Sequence, residues 1–259
     1  MRIFATYNIK GGVGKTATAV NLAYLSAASG ARTLLWDLDP QGAATFYLRI
    51  RAEVAGGAKK LLRGRKPLRD LIRSTDHEGL DLLPADFSYR NLDLLLDARA
   101  KPKKRLARLV QPLSAHYDHV YLDCAPGISL VSEGVFHAAD ALLVPTIPTT
   151  LSLRTLEQLA AHLEQDGPRK APQVLPFFCI VDARKSLHRE VCERRDGPFE
   201  FLQTRIPYSS TVEQMGLRRA PVPTYARNAV VSRAYSDLWD EVIKRTGSLL
   251  AWIGRLPRI

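Results

Sequence analysis

The glycine-rich segment KGGVGKT, residues 10–16, constrains this chain more than any other stretch of its sequence. It follows a short apolar, β-prone run at residues 3–7 and precedes an alanine- and leucine-rich run, residues 17–28, that is typical of a helix. Glycines let the backbone wrap closely, so that successive N–H groups point at phosphate oxygens, and the following helix adds the positive end of its dipole. Lys15 can then reach the β- and γ-phosphates, and the Thr16 hydroxyl can ligate magnesium. The segment therefore predicts a site for a magnesium–nucleotide complex.

Strand and helix patterns alternate along the rest of the chain. Short apolar runs predict strands at residues 33–36, 80–84, 119–123, 141–145 and 173–180. Helices are predicted near residues 66–73, 90–98, 103–113, 153–165 and 185–195, and a last long helix from about Ser232 past Trp239. Such alternation builds βαβ units, so we expect an α/β fold with a mostly parallel twisted sheet and helices on both faces. No linker or repeat interrupts the sequence, and a single domain over residues 1–259 is expected.

Carboxylates follow two of the predicted strands, at the edge where a parallel sheet binds its ligands. Asp37 and Asp39 follow the strand at residues 33–36, and Asp123 closes the strand at residues 119–123. An isolated Asp-Pro pair is also typical of an ordinary turn. Beside a phosphate-binding loop, however, such carboxylates can order magnesium-bound or attacking water by hydrogen bonding. We therefore expect them to complete the nucleotide site.

These segments resemble the ParA and MinD family of ATPases, and the resemblance covers nearly the full length of the chain. Ile9 stands where the first glycine of the strict G-x-x-x-x-G-K-[ST] pattern would fall, and K-G-G-x-G-K-[ST] resembles the family's deviant Walker A motif instead. DLDPQGAAT, residues 37–45, resembles the family's D-x-D-P-Q-G-N-A-T stretch, with Ala43 in place of the asparagine. TRIP, residues 204–207, is similar to its T-x-I-P element. Cys124 follows Asp123 where relatives often have proline.

The resemblance implies the P-loop NTPase fold and a role for each matching residue. Lys10 would reach across a nucleotide-sandwich dimer to the partner's phosphates, Asp39 would position the hydrolytic water, and Pro207 would lie near the adenine base. The implied catalytic residues are Lys10, Lys15 and Asp39, and the implied metal residues are Thr16, Asp37 and Asp123. The implied contacts to ATP are Lys10, Gly11, Gly12, Val13, Gly14, Lys15, Thr16, Ala17 and Pro207.

The charge balance is typical of a chain with a nucleic acid, an anionic lipid or an acidic protein as partner, and equally of a basic but inert surface. The chain has 37 lysines and arginines and 26 aspartates and glutamates, a net charge of +11. Together with the resemblance, this excess implies ATP-dependent, non-specific DNA binding through phosphate contacts. The candidate DNA-binding residues are Arg205, Arg218, Arg219, Arg227, Arg233, Lys244 and Arg245. Changing Arg218 and Arg219 to glutamate is expected to weaken DNA binding and spare nucleotide binding. Basic clusters at residues 59–69 and 101–108 compete for this role, although a solvated face is the simpler interpretation of each.

The resemblance also implies a cycle, closer to the chromosome-partition branch of the family than to MinD. The chain would be a cytoplasmic, nucleoid-associated ATPase with weak intrinsic activity that forms an ATP-dependent homodimer. A ParB-type or cargo-adaptor protein would stimulate hydrolysis, and the cycle would position a chromosome, a plasmid or a protein assembly. No local pattern in the sequence identifies the cargo.

Two alternatives stay open from the sequence. A MinD-like ATPase would lie on a membrane through an amphipathic C-terminal helix, but Gly254 and Pro257 interrupt and close the segment at residues 249–256, which favours core packing of a last helix. The other alternative is a metabolic P-loop enzyme: a ligase would need a substrate pocket, which no local pattern identifies, and a nitrogenase-reductase relative would need paired cluster-binding cysteines. Cys124, Cys179 and Cys192 form no CxxC pair and are expected to be reduced core thiols.

Overall fold

The computed structural model describes residues 1–54, 56–63, 68–98, 100–168, 171–194 and 197–247. Its strands are β1 Arg2–Thr6, β2 Thr33–Asp37, β3 Arg73–Ser74, β4 Leu80–Leu83, β5 His119–Asp123, β6 Ala141–Thr146 and β7 Gln173–Phe178. The described strands form a seven-stranded sheet in the order β3–β4–β2–β5–β1–β6–β7. Strand β3 pairs antiparallel to β4, and the other neighbours are parallel. The predicted mostly parallel α/β fold is confirmed.

Helices cover both faces of this sheet. They are α1 Lys15–Ala28, α2 Ala43–Tyr47, α3 Gly57–Arg63, α4 Leu92–Asp97, α5 Arg105–Val110, α6 Leu130–Ala138, α7 Thr150–Asp166, α8 Ser186–Arg194, α9 Ser210–Glu213, α10 Met215–Arg218, α11 Val222–Tyr225 and α12 Val230–Arg245. One core cluster joins the sheet to α3 through α8. The other joins it to α1, α2, α10, α11 and α12. None of the described helices is both long and apolar enough to cross a bilayer.

The central strands are apolar because both of their faces are buried. In β1, Ile3 and Ala5 belong to the first core cluster, whereas Phe4 belongs to the second. Side chains alternate across a strand, so such a strand needs apolar residues at successive positions rather than at every other one. Strand register then places three carboxyl ends together, because Asp123 pairs with Thr6 on one side and with Asp37 on the other.

Several predicted elements differ from the structure. The helix predicted near residues 66–73 is wrong, because the described residues there form a 3₁₀ turn at Leu68–Leu71 and then the edge strand β3. The helix predicted at residues 103–113 is split into α5 and 3₁₀ turns at Pro102–Lys104 and Gln111–Ala115. Pro112 explains the second break, since proline lacks an N–H and its ring clashes with the carbonyl four residues earlier. The strand predicted to reach residue 180 ends at Phe178, and Ile180 has a left-handed φ of 58°.

Helix α6 and the short helices α2, α3 and α9 to α11 were not predicted. Ser129 caps α6 by accepting a hydrogen bond from the Ser132 backbone, and the Ser132 side chain returns the contact. The usual capping-box pattern has glutamate or glutamine at this third position, where this chain has a serine. The last helix begins at Val230, slightly before the predicted Ser232. The predicted packing of residues 249–256 lies outside the described residues.

Candidate nucleotide-binding site

The loop between β1 and α1 leaves backbone N–H groups available to an anion. Gly14 precedes α1 in a left-handed conformation with φ 94°, and no side chain among the described residues caps the first turn. Gly12 also has a positive φ of 69°. A Cβ atom on Gly11 or Gly12 would meet nothing within 4 Å, so the space before the loop is open. The uncapped helix and this open loop form a cradle that fits phosphate oxygens.

Cys179 closes the other side of the loop. A Cβ atom on Gly14 would lie 2.9 Å from Cys179 Sγ. Cys179 is 2% exposed and follows β7, so its sulfur cannot move aside freely. Gly14 is therefore required both for its backbone conformation and for the space beside it.

The two lysines of the loop have different surroundings. Lys15 is buried, and its Nζ donates a hydrogen bond to the Lys10 carbonyl oxygen at 2.9 Å. Burial lowers the pKa of Lys15, and the nearby carboxylate of Asp123 opposes that shift. The Lys10 ammonium is half-buried and is bonded to no other described residue. The Lys10 backbone N–H donates to Asn8 Oδ1 at 2.9 Å, and Asn8 Nδ2 donates to the Pro145 carbonyl oxygen at 2.9 Å. Asn8, which sequence reasoning missed, thus ties the loop to β6.

Asp123 has a buried carboxylate oxygen without a partner. Thr6 Oγ1 donates to Asp123 Oδ1 at 3.3 Å, whereas Oδ2 has no hydrogen-bond partner in the described part of the chain. Burial, and then the neighbouring charge of Asp37, raises the pKa of Asp123 well above its usual value, and the Thr16 hydroxyl lowers it. An unpartnered buried oxygen of this kind needs a cation or an ordered water. Thr16 and Asp123 therefore fit a magnesium ion held directly or through water.

Asp37 is anchored by helix α2. Thr45 donates to Asp37 Oδ2 from its hydroxyl at 2.7 Å and from its backbone N–H at 2.8 Å. The same hydroxyl accepts a hydrogen bond from the Ala85 N–H at 2.9 Å. Burial raises the pKa of Asp37 to about 6, and the hydrogen bonds from Thr45 oppose this rise. Sequence reasoning missed Thr45, although it is the last residue of the DLDPQGAAT stretch.

Asp39 lies at the surface of the same loop. It is partly exposed, and its Oδ1 accepts the Gln41 N–H at 2.9 Å. Its own N–H donates to Asp37 Oδ1 at 3.2 Å. Asp39 Oδ2 has no bonded partner among the described residues. This carboxylate is thus held in place with one oxygen available to a water.

Three predicted ATP contacts, from two distant parts of the sequence, meet at one cavity. The cavity measures about 110 Å³, and Gly14, Ala17 and Pro207 are among its lining residues. Ile206 and Tyr235 give it apolar walls, and Ser209 and Glu213 add polar groups. An apolar slot with a few polar groups, directly beside a phosphate cradle, suits a planar base.

The predicted DNA-binding residues have unequal freedom. Arg218, Arg227, Arg233 and Lys244 are exposed. Arg245 forms an ion pair with Glu200, and Arg205 Nη2 donates to the Cys192 carbonyl oxygen at 3.1 Å.

Arg219 and Arg49 join α10 to α2 by exchanged hydrogen bonds. Arg219 Nε donates to the Phe46 carbonyl oxygen at 3.0 Å, and its guanidinium lies 4.6 Å from the centre of the Phe46 ring. Arg49 donates to the carbonyl oxygens of Arg218 and Arg219 at 3.1 Å each. Arg49 and Arg219 both have left-handed φ angles, 61° and 48°. The Arg219 side chain therefore has a structural role, whereas Arg218 contributes only its carbonyl oxygen to these bonds.

Comparisons with known proteins find matches over most of the chain. The AAA_31 family model, described as an AAA domain, matches residues 1–171. The chain is 33% identical to the chromosome partitioning protein ParA of Caulobacter vibrioides over 254 residues, with 95% of each chain covered. It is 31% identical to the sporulation initiation inhibitor protein Soj of Bacillus subtilis, which covers 93% of this chain and 98% of that protein. Among solved structures, cobyrinic acid a,c-diamide synthase from Mycobacterium smegmatis, with a bound ATP analogue and magnesium, superposes with a TM-score of 0.81 at 25% identity over 94% of each chain.

Proposed function

This chain belongs to the ParA family of P-loop ATPases, and from that premise we propose that it is an ATP-dependent DNA-binding switch that positions a cargo. ATP and magnesium are its cofactors, and it is a partition or positioning ATPase. The single observation that supports the proposed switch best is the coupled arrangement of the uncapped loop, the free Lys10 ammonium and the unpartnered Asp123 oxygen. Together they fit a phosphate group and a neighbouring cation.

Each residue of the site has a defined task in the proposed mechanism. The glycine loop and the first turn of α1 hold phosphate oxygens through backbone N–H groups. Lys15 exchanges its present bond to the Lys10 carbonyl oxygen for a phosphate oxygen, and the protein's low polarity there strengthens the interaction. Thr16, Asp37 and Asp123 would hold magnesium, which when bound neutralises phosphate charge. Asp39 orients the attacking water with its free oxygen.

Lys10 is proposed to complete a second copy of the site. Its ammonium bonds to no described residue of its own chain, so it is available to the phosphates of a partner across a homodimer interface. ATP would then favour the dimer, because each nucleotide would be held from both sides. A ParB-type or cargo-adaptor protein would stimulate hydrolysis and release the dimer from the nucleoid.

DNA binding is proposed to follow dimer formation. The exposed cations Arg218, Arg227, Arg233 and Lys244 lie on one side of the sheet and can contact phosphates without reading bases. The similarity in fold to cobyrinic acid a,c-diamide synthase supports the alternative of a metabolic enzyme. Sequence identity to partitioning proteins is higher over the same share of the chain, which favours the switch.

The proposal is tested by measuring DNA retention over a salt series in three states: the protein with ADP, the protein with ATP, and a Lys15→Ala variant with ATP. Binding should appear only with ATP, fail in the variant and fall steeply as salt increases. Equal retention with ADP and ATP would refute the switch. No DNA binding in any state, with nucleotide binding intact, would refute the DNA partner.

The arginine contacts need variants that leave α2 in place. Arg218→Glu with Arg233→Glu changes two exposed side chains, and ATP-dependent DNA retention should fall while nucleotide affinity stays constant. Arg219→Glu would also remove the bond to the Phe46 carbonyl oxygen, so its effect on DNA mixes charge with structure. Unchanged retention in the Arg218 and Arg233 double variant would remove this side of the sheet from the proposed DNA contact.

A further inference from the structure

Two basic segments that are far apart in the sequence lie together on one face of the sheet. Arg105 in α5 donates to the Leu62 carbonyl oxygen in α3 through Nε, at 3.0 Å, and also through Nη2. Helix α3 and the 3₁₀ turn at Pro102–Lys104 both pack against α4. The exposed cations that this packing gathers, which we call the α3–α5 surface, are Lys59, Lys60, Lys101, Lys104 and Arg108.

The charges of the α3–α5 surface are not neutralised by the part of the chain that the structure describes. None of its five side chains forms an ion pair or a hydrogen bond with another described residue. Neighbouring carboxylates are engaged elsewhere, since Glu133 pairs with Lys103 at 3.0 Å and Asp93 Oδ1 accepts the Val131 N–H at 2.9 Å. Asp97 on α4 is exposed and only partly offsets the excess. The surface therefore presents a net positive charge to solvent.

Part of this surface is concave. Lys104 and Arg108, one helical turn apart, line a cavity of about 480 Å³ together with His137. Its floor includes the apolar side chains of Ile3 and Ala138. The cavity lies at the amino end of β1, whereas the nucleotide loop follows its carboxyl end. A ligand there would not compete with the nucleotide for space.

The α3–α5 surface and the proposed DNA-binding arginines lie on opposite sides of the sheet. Helices α3 and α5 belong to one core cluster, and α10, α11 and α12 belong to the other. Two helix layers and a sheet, each about 10 Å thick, separate the two sides. A straight duplex that lies along one side of the sheet therefore does not reach the arginines and the α3–α5 surface together.

We infer that the α3–α5 surface is a second contact surface for DNA phosphates, so that one chain holds two DNA segments at once. Its cations are mostly lysines, which are depleted at protein–protein interfaces but serve well as phosphate contacts. The inference rests on the proposed DNA binding and extends it from attachment to bridging. A lipid surface is the competing partner, because Phe87 and Leu94 are exposed near α3.

The salt dependence of DNA binding tests the second surface. Each lysine or arginine that contacts a phosphate contributes about one unit to the slope of log K against log salt. Lys59→Gln with Lys60→Gln, and Lys104→Gln with Arg108→Gln, should each reduce that slope by about two in the ATP-loaded protein. Arg189→Gln with Arg194→Gln is the matched control, because both side chains are exposed on α8 and already bonded to Ala183 and Glu190. A slope within about half a unit of the wild-type value in both test pairs would overturn the inference.

A bridging assay separates one DNA surface from two. Duplexes fixed to beads would capture fluorescent free duplexes through the ATP-loaded wild-type protein. Each α3–α5 pair should lose this capture and still bind single duplexes, and the Arg218→Glu and Arg233→Glu variant should lose it too. Capture that survives both α3–α5 changes would mean that a dimer bridges through its arginine side alone, which overturns the second surface and leaves the proposed function intact. Absence of wild-type DNA binding would refute both.

Vesicles of phosphatidylserine and phosphatidylcholine distinguish lipid from DNA. The surface would be reassigned to a membrane by two results together. The wild-type protein would co-sediment with these vesicles and the α3–α5 double variants would not, while the salt dependence of DNA binding stays unchanged in those variants. A reduced slope of log K against log salt in the α3–α5 double variants, with no vesicle binding by the wild-type protein, supports the inference.

Discussion

Replacing Gly14 by alanine should destabilise the protein even without nucleotide, because this position of the loop has no room for a Cβ atom. The φ of 94° at Gly14 is one that L-residues rarely adopt, which costs about 1–2 kcal/mol. The new Cβ atom would lie 2.9 Å from Cys179 Sγ, and overpacking of this kind costs about 1–3 kcal/mol. Alanine also lowers the conformational entropy of the unfolded chain, which offsets about 0.4–1 kcal/mol of this loss. We expect the free energy of unfolding to fall by about 2–4 kcal/mol.

A double-mutant cycle separates the two causes. Cys179→Ala removes the sulfur and should relieve the clash but not the backbone strain, so Gly14→Ala should cost about 1–3 kcal/mol less in its presence. Urea unfolding of the single and double variants, without nucleotide or magnesium, gives the coupling free energy. Gly11→Ala is the control, because a Cβ atom there meets nothing within 4 Å and it should change stability by less than about 0.5 kcal/mol. Coupling below about 0.5 kcal/mol between Gly14→Ala and Cys179→Ala would refute the steric argument.

Two further predictions concern buried polar groups. Thr45→Val removes a hydrogen bond to Asp37 and leaves the Ala85 N–H unpaired, so the free energy of unfolding should fall by about 2–4 kcal/mol. Thr45→Ser keeps the hydroxyl and should cost under about 1 kcal/mol. Equal losses of the two variants in urea unfolding would contradict this. Burial lowers the pKa of His119 from 6.5 to about 4, so the folded state binds fewer protons than the unfolded state between these values and stability falls as pH falls through them. The loss should approach about 3 kcal/mol and be absent in His119→Asn; parallel pH profiles of the two proteins would refute it.

The parts of the site that depend on local patterns were predictable from the sequence. The glycines of the loop set its backbone angles within a few residues, and Lys15 follows them directly at the start of α1. Asp37 and Asp123 end strands that are buried on both faces, so their apolar runs identified the strands and the parallel sheet brought the two ends together. Boundaries of these strands were correct to within a residue or two for the same reason.

The supporting contacts were not predictable, because they join residues that are distant in the sequence. Nothing near Gly14 indicates that Cys179 lies against it, and nothing near Thr45 indicates that its hydroxyl accepts the Ala85 N–H. Helix α6 was missed because the residue that completes the capping box with Ser129 is a serine rather than a glutamate. The assignments of single residues to ATP, magnesium and DNA stay predictions, since they concern contacts with molecules rather than within the chain.

Helix α2 gives the acidic site and the basic C-terminal segment a common support. Thr45, in the middle of α2, holds Asp37, whereas the next residue, Phe46, and Arg49, just after the helix, exchange contacts with Arg218 and Arg219. Each left-handed arginine costs about 1–2 kcal/mol, so these bonds hold a conformation that neither segment would favour alone. A shift of Asp37 that keeps its bonds to Thr45 therefore either carries the Arg218 segment with α2 or breaks the exchanged bonds. The arrangement supplies a direct physical connection between the nucleotide site and the proposed DNA contacts.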